Sequence, residues 1–122
     1  MQFTKGNEIY DVGLCASTNW EILENSNSND IWVHLADFPS CYVICKWNDN
    51  ITFPTKAKKK KYIQQRVKEA GHICCVKSEN KIPDNLNKID IVYLKCKYVK
   101  KGQKVGQAEL TKDPIMLTIN RN

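Results

Sequence analysis

Hydrophobic and polar positions alternate most clearly over two neighbouring runs. In Asp30-Ile31-Trp32-Val33-His34-Leu35-Ala36, a period of two puts Ile31, Val33 and Leu35 on one face, with Trp32, His34 and Ala36 on the other. In Cys41-Tyr42-Val43-Ile44-Cys45-Lys46-Trp47, Cys41, Val43 and Cys45 share a face; Tyr42, Ile44 and Lys46 share the opposite one. Between the runs, Asp37-Phe38-Pro39-Ser40 carries turn chemistry, with proline fixing one backbone angle. The pattern predicts an antiparallel hairpin with an aliphatic face for the core and a second face that is aromatic and polar at once. That second face has two readings, as packing residues of a half-buried strand pair or as part of a binding surface.

The same periodicities divide the rest of the chain. Residues 9–16 alternate and predict a strand, weakened or bulged at Gly13, with residues 1–8 a short lead-in. Residues 18–23 fit a helical turn or a strand, and the polar stretch 24–29 is a solvated loop. After Pro54-Thr55, the spacing of Ile63, Val67, Ala70 and Cys74 predicts a helix reaching about Ser78. Gly71 lies beside that stripe, so either the helix stops there or another element packs closely against it. Residues 89–99 predict a strand with Val92, Leu94, Cys96 and Tyr98 on one face and Ile89, Ile91, Tyr93, Lys95 and Lys97 on the other. A short strand ending at Leu110 and a last strand over 115–119 complete the pattern.

Composition narrows the classes. The 122 residues fit one domain, 1–122, and 42% hydrophobic residues are enough for a core. Lys and Arg number 19 against 13 Asp and Glu, for a net charge of +6 and a pI near 9.0, which favours anionic partners. No apolar stretch is long enough to span a bilayer and no secretory signal is visible, so a cytoplasmic protein without a membrane partner is expected, with the nucleus the alternative compartment. Five of the six cysteines fall inside apolar patterns and read as reduced core residues. Lys58, Lys59, Lys60 and Lys61 stand where the helix would start and oppose its macrodipole. Either the helix begins after them or they serve an external partner.

Catalytic and metal chemistry find little support. Cys41-x-x-x-Cys45 is one pair and Cys74-Cys75 another, but His34 and His72 supply no second pair at zinc-ligand spacing. The glycines are isolated, so no phosphate-cradling loop exists. Asp30, His34 and Asp37 would make a nuclease metal cluster only if Asp37 left its turn. No cofactor, no metal and no enzymatic activity are therefore expected. Binding chemistry fares better: Lys95, Lys97, Lys100, Lys101 and Lys104 follow Tyr93, while Trp32, His34, Tyr42 and Lys46 share the hairpin's second face. Ammonium groups meet phosphates and rings stack bases, so these two sets on one side of a sheet would form a nucleic-acid platform.

Together these residues resemble the NFACT-R domain of ribosome quality-control factors, which also stands alone in small coiled-coil domain-containing proteins. The likeness runs through Asp30-Ile31-Trp32-Val33-His34, Pro39-Ser40, Ile91-Val92-Tyr93, Val99-Lys100-Lys101 and Val105-Gly106-Gln107. The chain departs from the family pattern at Gly13-Leu14-Cys15, where an arginine is lost, at Tyr42 in place of histidine, at Lys46 in place of arginine, and in a longer 54–78 segment. The resemblance implies an α+β fold, a mixed, largely antiparallel sheet packed with one main helix. It also implies RNA binding (ribosomal or transfer RNA) in ribosome-associated quality control or translation. The expected contacts are Trp32, His34, Tyr42, Lys46, Tyr93, Lys95, Lys97, Lys100 and Lys101. Alternatives are a DNA-binding module and a protein-interaction module docking through the Trp32/His34 face.

Overall fold

The computed structural model, which describes residues 1–121, has the element order β1 (Gln2–Lys5), β2 (Glu8–Gly13), α1 (Ala16–Glu24), β3 (Ile31–Leu35), β4 (Tyr42–Cys45), α2 (Lys56–Lys77), β5 (Lys88–Lys95), β6 (Val99–Lys101), β7 (Ala108–Leu110) and β8 (Ile115–Asn120). Six strands form one sheet in the order β1-β2-β4-β3-β5-β8, and each of its pairings is antiparallel. The fold is α+β, a sheet packed with one main helix.

The predicted hairpin lies at the centre of that sheet, with Ile31 opposite Cys45, Trp32 opposite Ile44 and Val33 opposite Val43. Its aliphatic face meets α2. Ile31, Val33, Leu35, Val43 and Cys45 pack with Tyr10, Val12, Ile89 and Ile91 against Val67, Ala70 and Cys74. Each large aliphatic side chain there contributes about 1.5–3 kcal/mol on full burial. The helix runs unbroken through Gly71, whose missing Cβ lets the sheet come close: a Cβ there would lie 2.8 Å from Ile91 Cδ1 and 3.0 Å from Ile119 Cδ1. Arg66 ties the same helix to the sheet ends, its Nη1 donating to the Lys46 carbonyl at 2.6 Å and its Nη2 to that of Ile9 at 2.9 Å.

The second face carries its own cover. Leu23 of α1 and Val99 of β6 close over Trp32, Tyr42, Ile44, Leu94 and Cys96. Two expectations from the pattern change here, and one open alternative is settled. Residues 1–8 are not a lead-in, since β1 pairs with β2 across a Gly6-Asn7 turn. Residues 18–23 are helical. The strand predicted over 89–99 stops at Lys95, where Cys96–Tyr98 makes a 3-10 turn. Tertiary partners impose that turn: Cys96 N donates to the Asp30 carbonyl at 2.8 Å and Lys97 N to that of Ser28 at 3.3 Å. The chain then leaves the sheet, and β6 pairs with β7 in a small hairpin. No helix among the described residues is long and apolar enough to cross a membrane.

Candidate nucleic-acid interface

The predicted contact residues do not form one platform. Trp32 and Tyr42 share a face with His34, but each is only 3% exposed. The Trp32 and His34 rings are parallel at 5.6 Å, and Tyr42 meets both edge-on. The Tyr42 hydroxyl donates to the Gly106 carbonyl, and burial pushes its pKa up to about 12. Gly106 (φ +88°) comes so near α1 that a Cβ would lie 2.6 Å from that of Ala16. The β6–β7 connection is thereby held down over the rings. Trp32 and Tyr42 are thus largely buried, because α1 and the small hairpin cover a face that period two left open; with His34 they line only one wall of a cleft of about 380 Å³ beneath the small hairpin. His34 is half-buried, and burial pushes its imidazole below the ordinary 6.5.

Lys46 is also withdrawn. Its Nζ lies 2.6 Å from Asp30 Oδ2 and 3.8 Å from Asp11 Oδ2, so its charge is answered within the chain. Asp30, 1% exposed, further accepts hydrogen bonds from Asn27 N and Trp47 N, each at 2.8 Å. Both carboxylate oxygens are occupied in joining the 27–30 loop to the exit of β4. The aspartate that opens the Asp30-Ile31-Trp32-Val33-His34 motif is a structural junction.

The later lysines separate. Lys101 pairs with Glu24 and lies 5.2 Å from the Trp20 ring centre, on the small hairpin, with Lys100 exposed beside it. Lys97 stands 5.1 Å over Tyr98. Lys95 turns instead toward α2. There it joins Lys56, Lys59 and Lys60 of the helix's first turns and Lys112 of the β7–β8 connection around a groove of about 390 Å³. The groove floor is Ile31, Ile63, Tyr93, Leu94, Tyr98 and Ile115. A narrower continuation shares Ile31, Lys59, Ile63 and Lys95 and reaches Trp47. Lys59 lies 5.8 Å from the Trp47 ring centre and Lys112 lies 5.0 Å from that of Tyr98. A half-buried ring therefore stands at each end with an ammonium group beside it.

Five lysines gather around this groove. Among the described residues no carboxylate lines it, and none of its five lysines belongs to an ion pair. The helix starts where it does because the Thr55 side chain accepts from Lys58 N at 3.1 Å. With no acidic residue in the first turn, the positive end of the helix macrodipole adds to the lysine charges. Of the residues expected from sequence, Tyr93 and Lys95 belong to this groove. Trp47, Lys56, Lys59, Lys60, Tyr98 and Lys112 were not among them. The lysine run over 58–61, opposing its helix dipole, was a signal for two of these, Lys59 and Lys60, whereas nothing in the sequence brought Lys112 alongside.

No protein-family model and no curated protein matches the sequence. Among solved structures, the chain is similar to the C-terminal part of the fibronectin/fibrinogen-binding protein from Streptococcus suis. The TM-score is 0.67 at 18% identity, over 95% of this chain and 42% of that one. The chain thus spans less than half of that structure, and at this identity the likeness is one of fold.

Proposed function

We propose that the protein binds nucleic acid, RNA before DNA, without catalysis, and that the lysine groove between α2 and β5 is its contact surface. The observation that carries this reading is the grouping of Lys56, Lys59, Lys60, Lys95 and Lys112 with no lining carboxylate, over a floor that includes Tyr93 and Tyr98. Backbone phosphates meet the ammonium groups while unpaired bases lie against Trp47 and Tyr98, the combination that suits single strands and loops. The resemblance to NFACT-R supports RNA over DNA and a place in ribosome-associated quality control, in the cytoplasm.

The test is a titration of labelled single-stranded RNA over a salt series. The expected plot of log affinity against log salt falls by about 0.7 per phosphate contacted. A flat response contradicts the reading. A second reading, a protein-docking module, draws on the name of the similar Streptococcus suis protein. It predicts partner capture that survives loss of the groove lysines.

A further inference from the structure

Cys15 lines a second cleft, of about 210 Å³, which shares Asn19, Ser40, Lys81 and Gly106 with the cleft beneath the small hairpin. It lies at the opposite end of α2 from the lysine groove, and Lys77 and Lys81 line it together with the thiol. Among the described residues no carboxylate lines either cleft, and neither lysine belongs to an ion pair. Glu79, between the two lysines in the chain, is not part of the wall. Lys77 Nζ lies 5.2 Å from the Phe3 ring centre, a contact that leaves its charge unneutralised. The nine-residue α1 starts directly after Cys15 with no acidic residue in its first turn, so its positive end adds to the two lysines.

Asn19 supplies an independent sign of a ligand. Its side chain is 7% exposed, and its Oδ1 accepts from Tyr42 N at 3.0 Å. Its amide nitrogen makes no hydrogen bond among the described residues, yet it is not one of the unpartnered atoms sealed off from solvent. Because Asn19 lines both clefts, that donor opens into them. Buried polar groups ordinarily find partners, so an unused donor here calls for an acceptor brought from outside. The thiol supplies the reactive group. Ser17 Oγ and Thr18 Oγ1, each 3.4 Å from its sulfur, favour the thiolate, which is the nucleophilic form.

We propose that Cys15 is a site of reversible thiol–disulfide exchange with a small acidic disulfide, whose carboxylates lie against Lys77, Lys81 and the Asn19 amide. The thiol selects a disulfide, the lysines select its acidic groups, and the two joined clefts have the volume of a small-molecule site. In the step, the Cys15 thiol gives its proton to solvent and its sulfur attacks one sulfur of the disulfide. The S–S bond of the reagent breaks, a mixed disulfide forms on Cys15, and the second half leaves as a thiolate. Excess small thiol runs the same exchange backwards.

The test offers the native full chain three disulfides at low salt: oxidised glutathione, which is acidic, cystamine, which is cationic, and neutral hydroxyethyl disulfide. Mixed disulfide is followed by peptide mass spectrometry, and each rate is divided by that of mercaptoethanol with the same reagent to remove intrinsic reactivity. Oxidised glutathione is expected to modify Cys15 ahead of the other cysteines, and about fivefold faster than cystamine on this scale. In Lys77→Ala with Lys81→Ala, two exposed positions, the ratio is expected to fall below about twofold while the rate with the neutral reagent stays near wild type. Lys58→Ala with Lys61→Ala removes the same charge at the far end of α2 and is expected to keep the preference. Equal rates with the two charged reagents in the wild type overturn the proposal. A preference that survives loss of Lys77 and Lys81, or one that falls equally on loss of Lys58 and Lys61, overturns it as well.

Discussion

Lys46 Nζ lies 2.6 Å from Asp30 Oδ2, and that ion pair fixes the protein's central hairpin to the loop before it. Asp30 also receives Trp47 N and Asn27 N, and its carbonyl takes Cys96 N, so one buried residue joins three chain segments. Removing one partner of a buried pair costs about 3–5 kcal/mol. With Lys46 22% exposed, the lower end applies. Asp30→Ala is therefore expected to lower unfolding stability by about 3 kcal/mol in urea, and Asp30→Asn, which keeps an acceptor oxygen, by less. A loss below about 1 kcal/mol for the alanine variant contradicts this role.

Much of the fold was legible in the sequence, for reasons that locate where legibility ended. Period two assigned both faces of β3 and β4, because each side chain there meets its own core. The four- and three-residue steps of Val67, Ala70 and Cys74 located α2 for the same reason. After Lys95 the alternation of Cys96, Lys97 and Tyr98 still looked like strand. The bonds from Cys96 N to Asp30 and from Lys97 N to Ser28 decide otherwise, and neither is a local signal. The candidate site was legible only in part. Trp32 and Tyr42 were correctly placed on a shared face, but α1 and the β6–β7 hairpin cover it. Lys95, Lys59 and Lys112 meet only through the tertiary fold.

Burial of His34 makes stability depend on pH. Its native pKa lies below the 6.5 of the free side chain, so between those values the unfolded chain binds a proton that the native state does not. Stability is then full above pH 6.5 and falls as pH drops toward the native pKa. Urea midpoints at about pH 7.5 and about pH 5.5 are expected to differ in that sense for the wild type, and the difference is expected to shrink in His34→Gln. An equal difference in both proteins removes His34 as its source.

Cys15 is set apart from the other thiols. It is exposed ahead of α1, with Ser17 Oγ and Thr18 Oγ1 each 3.4 Å from its sulfur, and these hydroxyls lower its pKa to about 7. The other five cysteines are buried. Alkylation of the native protein is expected to modify Cys15 alone, at a rate that rises through about pH 7, and the remaining five only after unfolding. Peptide mapping after brief iodoacetamide treatment checks this. Equal early modification of Cys41 or Cys96 contradicts it.

The central claim is that RNA binds along the α2–β5 groove and not over the Trp32 face or the small hairpin. Single-stranded RNA affinity, measured at one fixed salt concentration for two paired-lysine variants, tests it most directly. Lys59→Ala with Lys60→Ala is expected to weaken binding about tenfold, while Lys100→Ala with Lys101→Ala stays within about twofold of wild type. An unchanged affinity in the groove variant, or a larger loss in the hairpin variant, contradicts the account.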